Sequence, residues 1–129
     1  MTGDELEAGT MKFSVKDREF DVTLHDTPTA EAICQALPIE VPVHRWGDEI
    51  YCLTDVRVEQ EAQARELMEV GEIAYWPAQA GIALFFGRTP VSDDERPRAY
   101  SPCNVFGTFD VDLEFLRSVQ DGDTIRFFE

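Results

Sequence analysis

Hydrophobic and polar residues alternate along much of this chain, which is the period of a β-strand with one buried face. Phe13 and Val15 alternate with polar residues, and Phe20 and Val22 do so again after a charged turn at 16–19. This pattern predicts a β-hairpin. A second hairpin is predicted over 41–53, with its turn at 46–49. Further strands are predicted over 73–76, 82–86, 104–108 and 124–128.

Two short stretches have the signals of helices instead. Thr27 is a good N-cap, Pro28 suits the first helical position, and Pro38 ends the helix after Leu37. A second helix is predicted to begin after Asp112 and to run to about residue 119. The polar stretch 59–67 predicts a surface loop with one turn of helix.

These elements define a mainly β fold. About eight short strands and two short helices, without strand–helix alternation, favour a closed, antiparallel-rich barrel capped by helices. The five consecutive apolar residues 82–86 predict a strand that is covered on both faces or that closes a barrel. Residues 88–102 are rich in proline and charge and predict a long loop, which in a compact domain is commonly functional or mobile.

The length of 129 residues fits one domain, which we place at 11–129 after a flexible acidic segment at 1–10. No apolar run reaches the roughly 18–20 residues that span a bilayer. The first ten residues have neither the basic start nor the apolar stretch of a secretory signal. We therefore expect a cytoplasmic protein that does not associate with membranes.

Charge narrows the choice of partners. Aspartate and glutamate number 26 against 11 lysines and arginines, a net charge of −15. Such a chain repels nucleic acid and anionic membranes. Because concentrated salt screens self-repulsion, the composition favours an organism with a salty cytosol. Binding of a basic partner is the competing interpretation.

The residue types that carry metals or cofactors give no pattern. Cys34, Cys52 and Cys103 lack the paired spacing of a metal site and are interpreted as buried free thiols. The acidic run 93–95 is interpreted as a solvated loop and not as a cation site. We expect neither a metal nor a cofactor, and no pattern indicates an oligomeric state.

Four phrases of the sequence carry a family resemblance: WGDEIY at 46–51, VGEIAYWP at 70–77, FFGRTPVSDD at 85–94 and SPCNVFG at 101–107. In their order and spacing they resemble the small bacterial and archaeal cyclophilin-like proteins, a family of minimal cyclophilin barrels. The resemblance covers about 11–128. It implies an eight-stranded barrel with one helix over each end. It indicates the fold more than it indicates an activity.

The same resemblance raises the question of prolyl isomerisation. Cyclophilins carry a Phe-His-Arg strand whose arginine donates to the prolyl nitrogen, followed by a return strand with Phe-Met-x-Gln-Gly-Gly. His44 and Arg45 resemble the His-Arg pair, so Arg45 is the candidate catalytic residue. Tyr51 and Leu53 fall where the methionine and glutamine would stand, and the glycine pair is missing. The alternative of an isomerase therefore depends on Arg45.

The leading hypothesis is a barrel that binds a peptide or small-molecule ligand in an aromatic groove. Aromatic rings would supply apolar area and Arg45 a charged donor. A third hypothesis is a structural or assembly subunit that docks through loop 88–102. The predicted ligand-binding residues are Tyr51, Tyr75, Trp76, Phe85 and Phe86.

Overall fold

The computed structural model describes residues 10–129, and the predicted acidic segment 1–10 lies, except for Thr10, outside the described residues. Ten strands and two helices are present in this part of the chain. The strands are β1 Thr10–Val15, β2 Arg18–Leu24, β3 Ile39–Pro42, β4 His44–Arg45, β5 Glu49–Leu53, β6 Arg65–Leu67, β7 Glu72–Trp76, β8 Gly81–Phe85, β9 Arg98–Phe109 and β10 Thr124–Phe128, and the helices are α1 Pro28–Ala36 and α2 Leu113–Arg117. The prediction of a mainly β fold with two short helices is confirmed.

Three local predictions differ from the structure. The stretch 59–67 contains no helix, because residues 65–67 form strand β6 against β9. The loop after residue 87 ends at Pro97, since β9 already begins at Arg98. The second helix ends at Arg117, before Val119. In each case pairing or packing with a distant segment overrides the local preference.

The sheet has the strand order β3-β10-β1-β2-β9-β7-β8-β5-β4, with β6 paired to β9 off this path. Its two edge strands, β3 and β4, are separated in the chain by Val43 alone, so one segment supplies both edges. The Val43 nitrogen donates to the Asp123 carbonyl at 2.8 Å, and its carbonyl accepts from Gly122 at 3.0 Å. No ladder joins β3 to β4. The predicted closure of the barrel by hydrogen bonds is therefore not confirmed.

The main core lies on the inner face of this sheet. Phe20, Val22 and Leu24 of β2 are buried while the residues between them are exposed, as the alternation predicts. Phe13 stacks on Phe20 with ring centroids 4.8 Å apart, and Phe109 meets Phe13 edge to face. Burial of each such side chain contributes about 1.5–3 kcal/mol.

A second, smaller core lies on the opposite face of β5, β8 and β7. It consists of Met68, Ala74, Ala83, Phe85, Ala99 and Cys103. The residues 98–103 and the neighbouring segment 65–68 contribute its outer layer. Every residue of β8 is buried, which confirms the prediction of a strand covered on both faces. This second core is the base on which the candidate site is built.

No helix in residues 10–129 combines the length and the apolar character needed to cross a membrane.

Helix α1 begins as predicted, with the Thr27 side chain accepting from the Ala30 nitrogen at 3.1 Å and Pro28 in the first turn. Helix α2 begins at the predicted cap, since Asp112 accepts from the Phe115 nitrogen.

Candidate functional site

A cavity of about 210 Å³ opens at the border of the second core. Three segments that are distant in the sequence form its walls: the β4–β5 hairpin, the end of β7, and the first part of β9. We call this space the aromatic cavity. Its lining residues are Trp46, Glu49, Tyr51, Trp76, Ala99, Tyr100 and Cys103.

The β4–β5 hairpin fixes Trp46 and Glu49 on either side of a tight turn. The Trp46 nitrogen donates to the Glu49 carbonyl at 2.9 Å, and the Glu49 nitrogen donates back at 3.2 Å. Gly47 occupies the turn with φ of +63°, and a Cβ added there would lie 2.9 Å from the Arg88 carbonyl oxygen. Glycine is therefore required by both conformation and space.

The aromatic rings of the cavity meet edge to face. The centroid of Trp76 lies 5.9 Å from that of Tyr51 and 6.3 Å from that of Tyr100, and Trp46 lies 6.2 Å from Tyr100. The Trp76 indole nitrogen donates to Ser101 Oγ at 2.6 Å, which fixes the orientation of that ring. Tyr100 is 72% exposed, so it forms the outer rim. The cavity thus presents several π faces to whatever enters it.

Glu49 is the acidic group of the aromatic cavity. Its residue is only 5% exposed, and its Oε1 is buried without a hydrogen-bond partner. Burial raises the pKa of this carboxyl from 4.5 to about 8, because removal from water penalises the charged form. No arginine, lysine or histidine among residues 10–129 forms an ion pair with it. A buried polar atom without a partner is uncommon in native proteins, and it marks this position as functional or strained.

Cys103 lies in the same cavity, but its thiol is not poised as a nucleophile. Burial, together with the charges of Glu49 and Glu66, raises its pKa to about 12. The thiolate is the reactive form of cysteine, and these surroundings suppress it. Cys52 is also buried, while Cys34 is half-buried, and all three cysteines are free.

Arg45 binds the backbone of its own neighbourhood. Its guanidinium donates to the Gly47 carbonyl at 2.7 and 3.1 Å, to the Arg117 carbonyl at 3.1 Å and to the Val119 carbonyl at 2.8 Å. It also lies over the Phe86 ring and 3.6 Å from Asp48. It is not among the residues that line the aromatic cavity. These contacts join the β4–β5 hairpin to the end of α2.

The five predicted ligand-binding residues separate into two groups. Tyr51 and Trp76 line the aromatic cavity, whereas Tyr75, Phe85 and Phe86 are buried and do not. Neighbouring residues of a strand point to opposite faces, so Tyr75 and Trp76 cannot both reach one cavity. The Tyr75 hydroxyl instead donates to the Val56 carbonyl at 2.6 Å and holds the irregular segment after β5.

Several lining residues were not predicted as ligand-binding: Trp46, Glu49, Ala99, Tyr100 and Cys103. A signal existed for Glu49, since it alternates in phase with Tyr51 along β5 and so shares its face of the sheet. Tyr100 lacked such a signal, because its stretch has the composition of a loop. Among residues 10–129, no group of three metal-binding side chains is brought together.

Comparison with known proteins adds the family. The fold is a mainly β domain in which one chain segment supplies both edges of the sheet. A family model described as cyclophilin-like matches residues 9–128. This chain belongs to the cyclophilin-like family. It is similar to a hypothetical protein from Archaeoglobus fulgidus whose structure was determined in solution. The two share 39% identity over 92% of each chain, with a TM-score of 0.77. No curated protein matches this chain.

Proposed function

We propose that this protein binds a small ligand, free or as part of a peptide, in the aromatic cavity. The observation that carries the proposal is the convergence of Trp46, Trp76 and Tyr100 around an open space next to the buried Glu49. Binding sites for small molecules are typically concave and apolar, with a few placed polar groups. The rings supply area for contact, and Glu49 supplies the polar group.

The two tryptophans make the proposal easy to test. The chain contains two tryptophans, Trp46 and Trp76, and both line the aromatic cavity. Intrinsic tryptophan fluorescence therefore reports on this cavity without background from other tryptophans. A fragment set of cationic, neutral and anionic compounds should contain members that change the emission in a saturable manner.

A pair of exposed residues supplies the variant and its control. Tyr100→Ala removes one ring of the cavity and should weaken binding of the responsive fragments about tenfold, which is the effect of about 1.4 kcal/mol. Val70→Ala removes an exposed side chain that does not line the cavity and should leave their affinity unchanged. The proposal fails if no fragment changes the emission, or if Tyr100→Ala and Val70→Ala bind alike.

The isomerase alternative remains a prediction that the contacts of Arg45 do not favour, since its guanidinium already serves carbonyl groups of the protein. A prolyl-peptide isomerisation assay at high salt would decide it, because a rate no higher than background removes the alternative. Docking through residues 88–102, the basis of the assembly hypothesis, also remains a prediction.

A further inference from the structure

The buried carboxyl of Glu49 lies where it can select a ligand by charge. Its Oε1 has no hydrogen-bond partner within the described part of the chain, and the surrounding walls are aromatic. An isolated carboxylate in such surroundings is costly, and a cation beside it offsets that cost. The faces of the indole and phenol rings also attract cations. Both features of the cavity therefore favour positive charge and disfavour anions.

No cationic side chain among residues 10–129 forms an ion pair with Glu49. The arginines of the region pair with other acids: Arg117 donates to Asp48 at 2.8 Å, Arg65 donates to Glu72 at 2.7 Å, and Arg98 lies 3.4 Å from Glu66 and 3.3 Å from Asp93, although its Nε is itself buried without a partner. Arg45 is held by carbonyl groups. Among the described residues, Glu49 is thus a buried acid without a basic partner, and it lines a cavity of about 210 Å³.

The walls further restrict the kind of cation. A primary ammonium group carries three N–H donors and keeps a tight hydration shell, which it gives up only for several acceptors. The side chains of the aromatic cavity offer few acceptors besides Glu49. An alkylated ammonium group has an apolar surface over its charge and is the kind of cation that aromatic cages recognise. The volume of about 210 Å³ is far more than the ~10–15 Å³ that one water molecule needs.

We propose that the aromatic cavity is a site for an alkylated ammonium cation, with Glu49 as its counter-charge and Trp46, Trp76 and Tyr100 as its π walls. This inference rests on the proposed function and specifies its ligand class. The cation is carried either by a free small molecule or by a methylated lysine side chain of a peptide.

Binding should be linked to a proton. With the pKa of Glu49 raised to about 8, the empty cavity holds the neutral acid at pH 7, and a permanent cation binds the carboxylate. Affinity should therefore rise with pH, approaching tenfold per unit below pH 8, and level off above it. The other titratable or charged groups that accompany Glu49 on the packed elements are Cys103, Tyr51, Tyr100, His44, Asp48, Glu66 and the Glu72–Arg65 pair.

Choline and its neutral isostere 3,3-dimethyl-1-butanol form the decisive pair of probes, since they differ chiefly in the charged nitrogen. Tryptophan emission is followed at constant ionic strength and at pH 6, 7 and 8.5. We expect choline to bind at least tenfold more tightly than the isostere at pH 8.5, and to release a proton on binding at pH 7. The release is measured by calorimetry in buffers of different ionisation enthalpy.

The variants and a second cation source complete the test. In Glu49→Gln the pH dependence of choline binding should disappear and the preference over the isostere should fall to the part that the rings supply, whereas Tyr100→Ala should weaken choline while keeping that pH dependence. A short peptide with trimethyllysine distinguishes a cation carried by a peptide from a free cation such as choline. Binding of either one more tightly than the neutral isostere supports the inference. Equal affinity for choline and the isostere overturns it while leaving the proposed function intact. Absence of binding by every fragment and both probes overturns both.

Discussion

Replacement of Glu49 by glutamine should change how the stability of the protein depends on pH. In the unfolded chain a glutamate titrates near its ordinary pKa of 4.5, whereas burial raises the pKa of Glu49 in the folded protein to about 8. Below pH 4.5 both states hold the proton, so the acid causes no loss of stability. Between these values the unfolded chain loses the proton first, and the free energy of unfolding falls as the pH rises.

The size of the effect follows from the two pKa values. Each pH unit in this window removes about 1.4 kcal/mol, so the whole shift corresponds to about 5 kcal/mol. Glutamine has the same shape and does not titrate. Between pH 5.5 and 8.5, the stability of Glu49→Gln should therefore rise relative to wild type by about 3 kcal/mol.

Denaturant unfolding at fixed salt and at several pH values measures this difference. Glu40→Gln serves as the control, since Glu40 is exposed on β3 and its replacement removes a carboxylate without contact with the aromatic cavity. The quantity to compare is how much the free energy of unfolding of Glu49→Gln changes with pH beyond the change seen in Glu40→Gln. If the two variants keep a constant difference across this pH range, Glu49 does not hold its proton as the buried position requires, and the reasoning fails.

Three further predictions concern the hairpin, Arg45 and the net charge. Gly47→Ala and Gly122→Ala should each lower the free energy of unfolding by about 1–2 kcal/mol, because both glycines have positive φ. Gly47→Ala should lower it more, since its new Cβ meets the Arg88 carbonyl while the Gly122 position is open. Equal losses in denaturant unfolding would contradict this. Arg45→Ala should lower the free energy of unfolding by about 1–3 kcal/mol, because it leaves carbonyl groups unpaired. Arg45→Lys should recover only part of this loss, since one ammonium group cannot replace the planar guanidinium. Full recovery in the same assay would argue against Arg45 as the donor that joins these carbonyls. The net charge of −15 should make the melting temperature rise between dilute and molar KCl; a melting curve that does not move with KCl would exclude adaptation to salt.

Local pattern was sufficient for the hairpins and the helix starts. The strand β2 has one face toward water and one toward the core, so polar and apolar residues alternate along consecutive positions. The caps Thr27 and Asp112 act on nitrogens three residues away, so their signal is also local. The family resemblance added the expectation of an eight-stranded barrel with one helix over each end, which such signals cannot supply.

The candidate site could be predicted only in part. Tyr51 and Trp76 were named from the sequence, but so were three aromatic residues that pack in the interior. An aromatic side chain stabilises a core and a binding cavity by the same burial of area, so residue type alone does not separate the two. Position on the face of a strand excludes Tyr75 and Phe86, which lie in the main core, whereas Phe85 shares the face of Tyr51 and Trp76 but is buried in the second core. Both distinctions required the register of β5, β7 and β8 and the packing above them.

The sequence by itself determined the mainly β character, the two short helices and the high negative charge, because each depends on neighbours in the chain or on a sum over residues. Only the tertiary structure decided that residues 39–45 supply both edges of the sheet and that residues 98–103 cover its outer face. It also decided that Glu49 stands without a partner among the described residues, beside rings of its own hairpin and of two other segments. Such contacts join residues as distant in the chain as Ile39 and Phe127. They depend on strand order and packing, which no local pattern specifies.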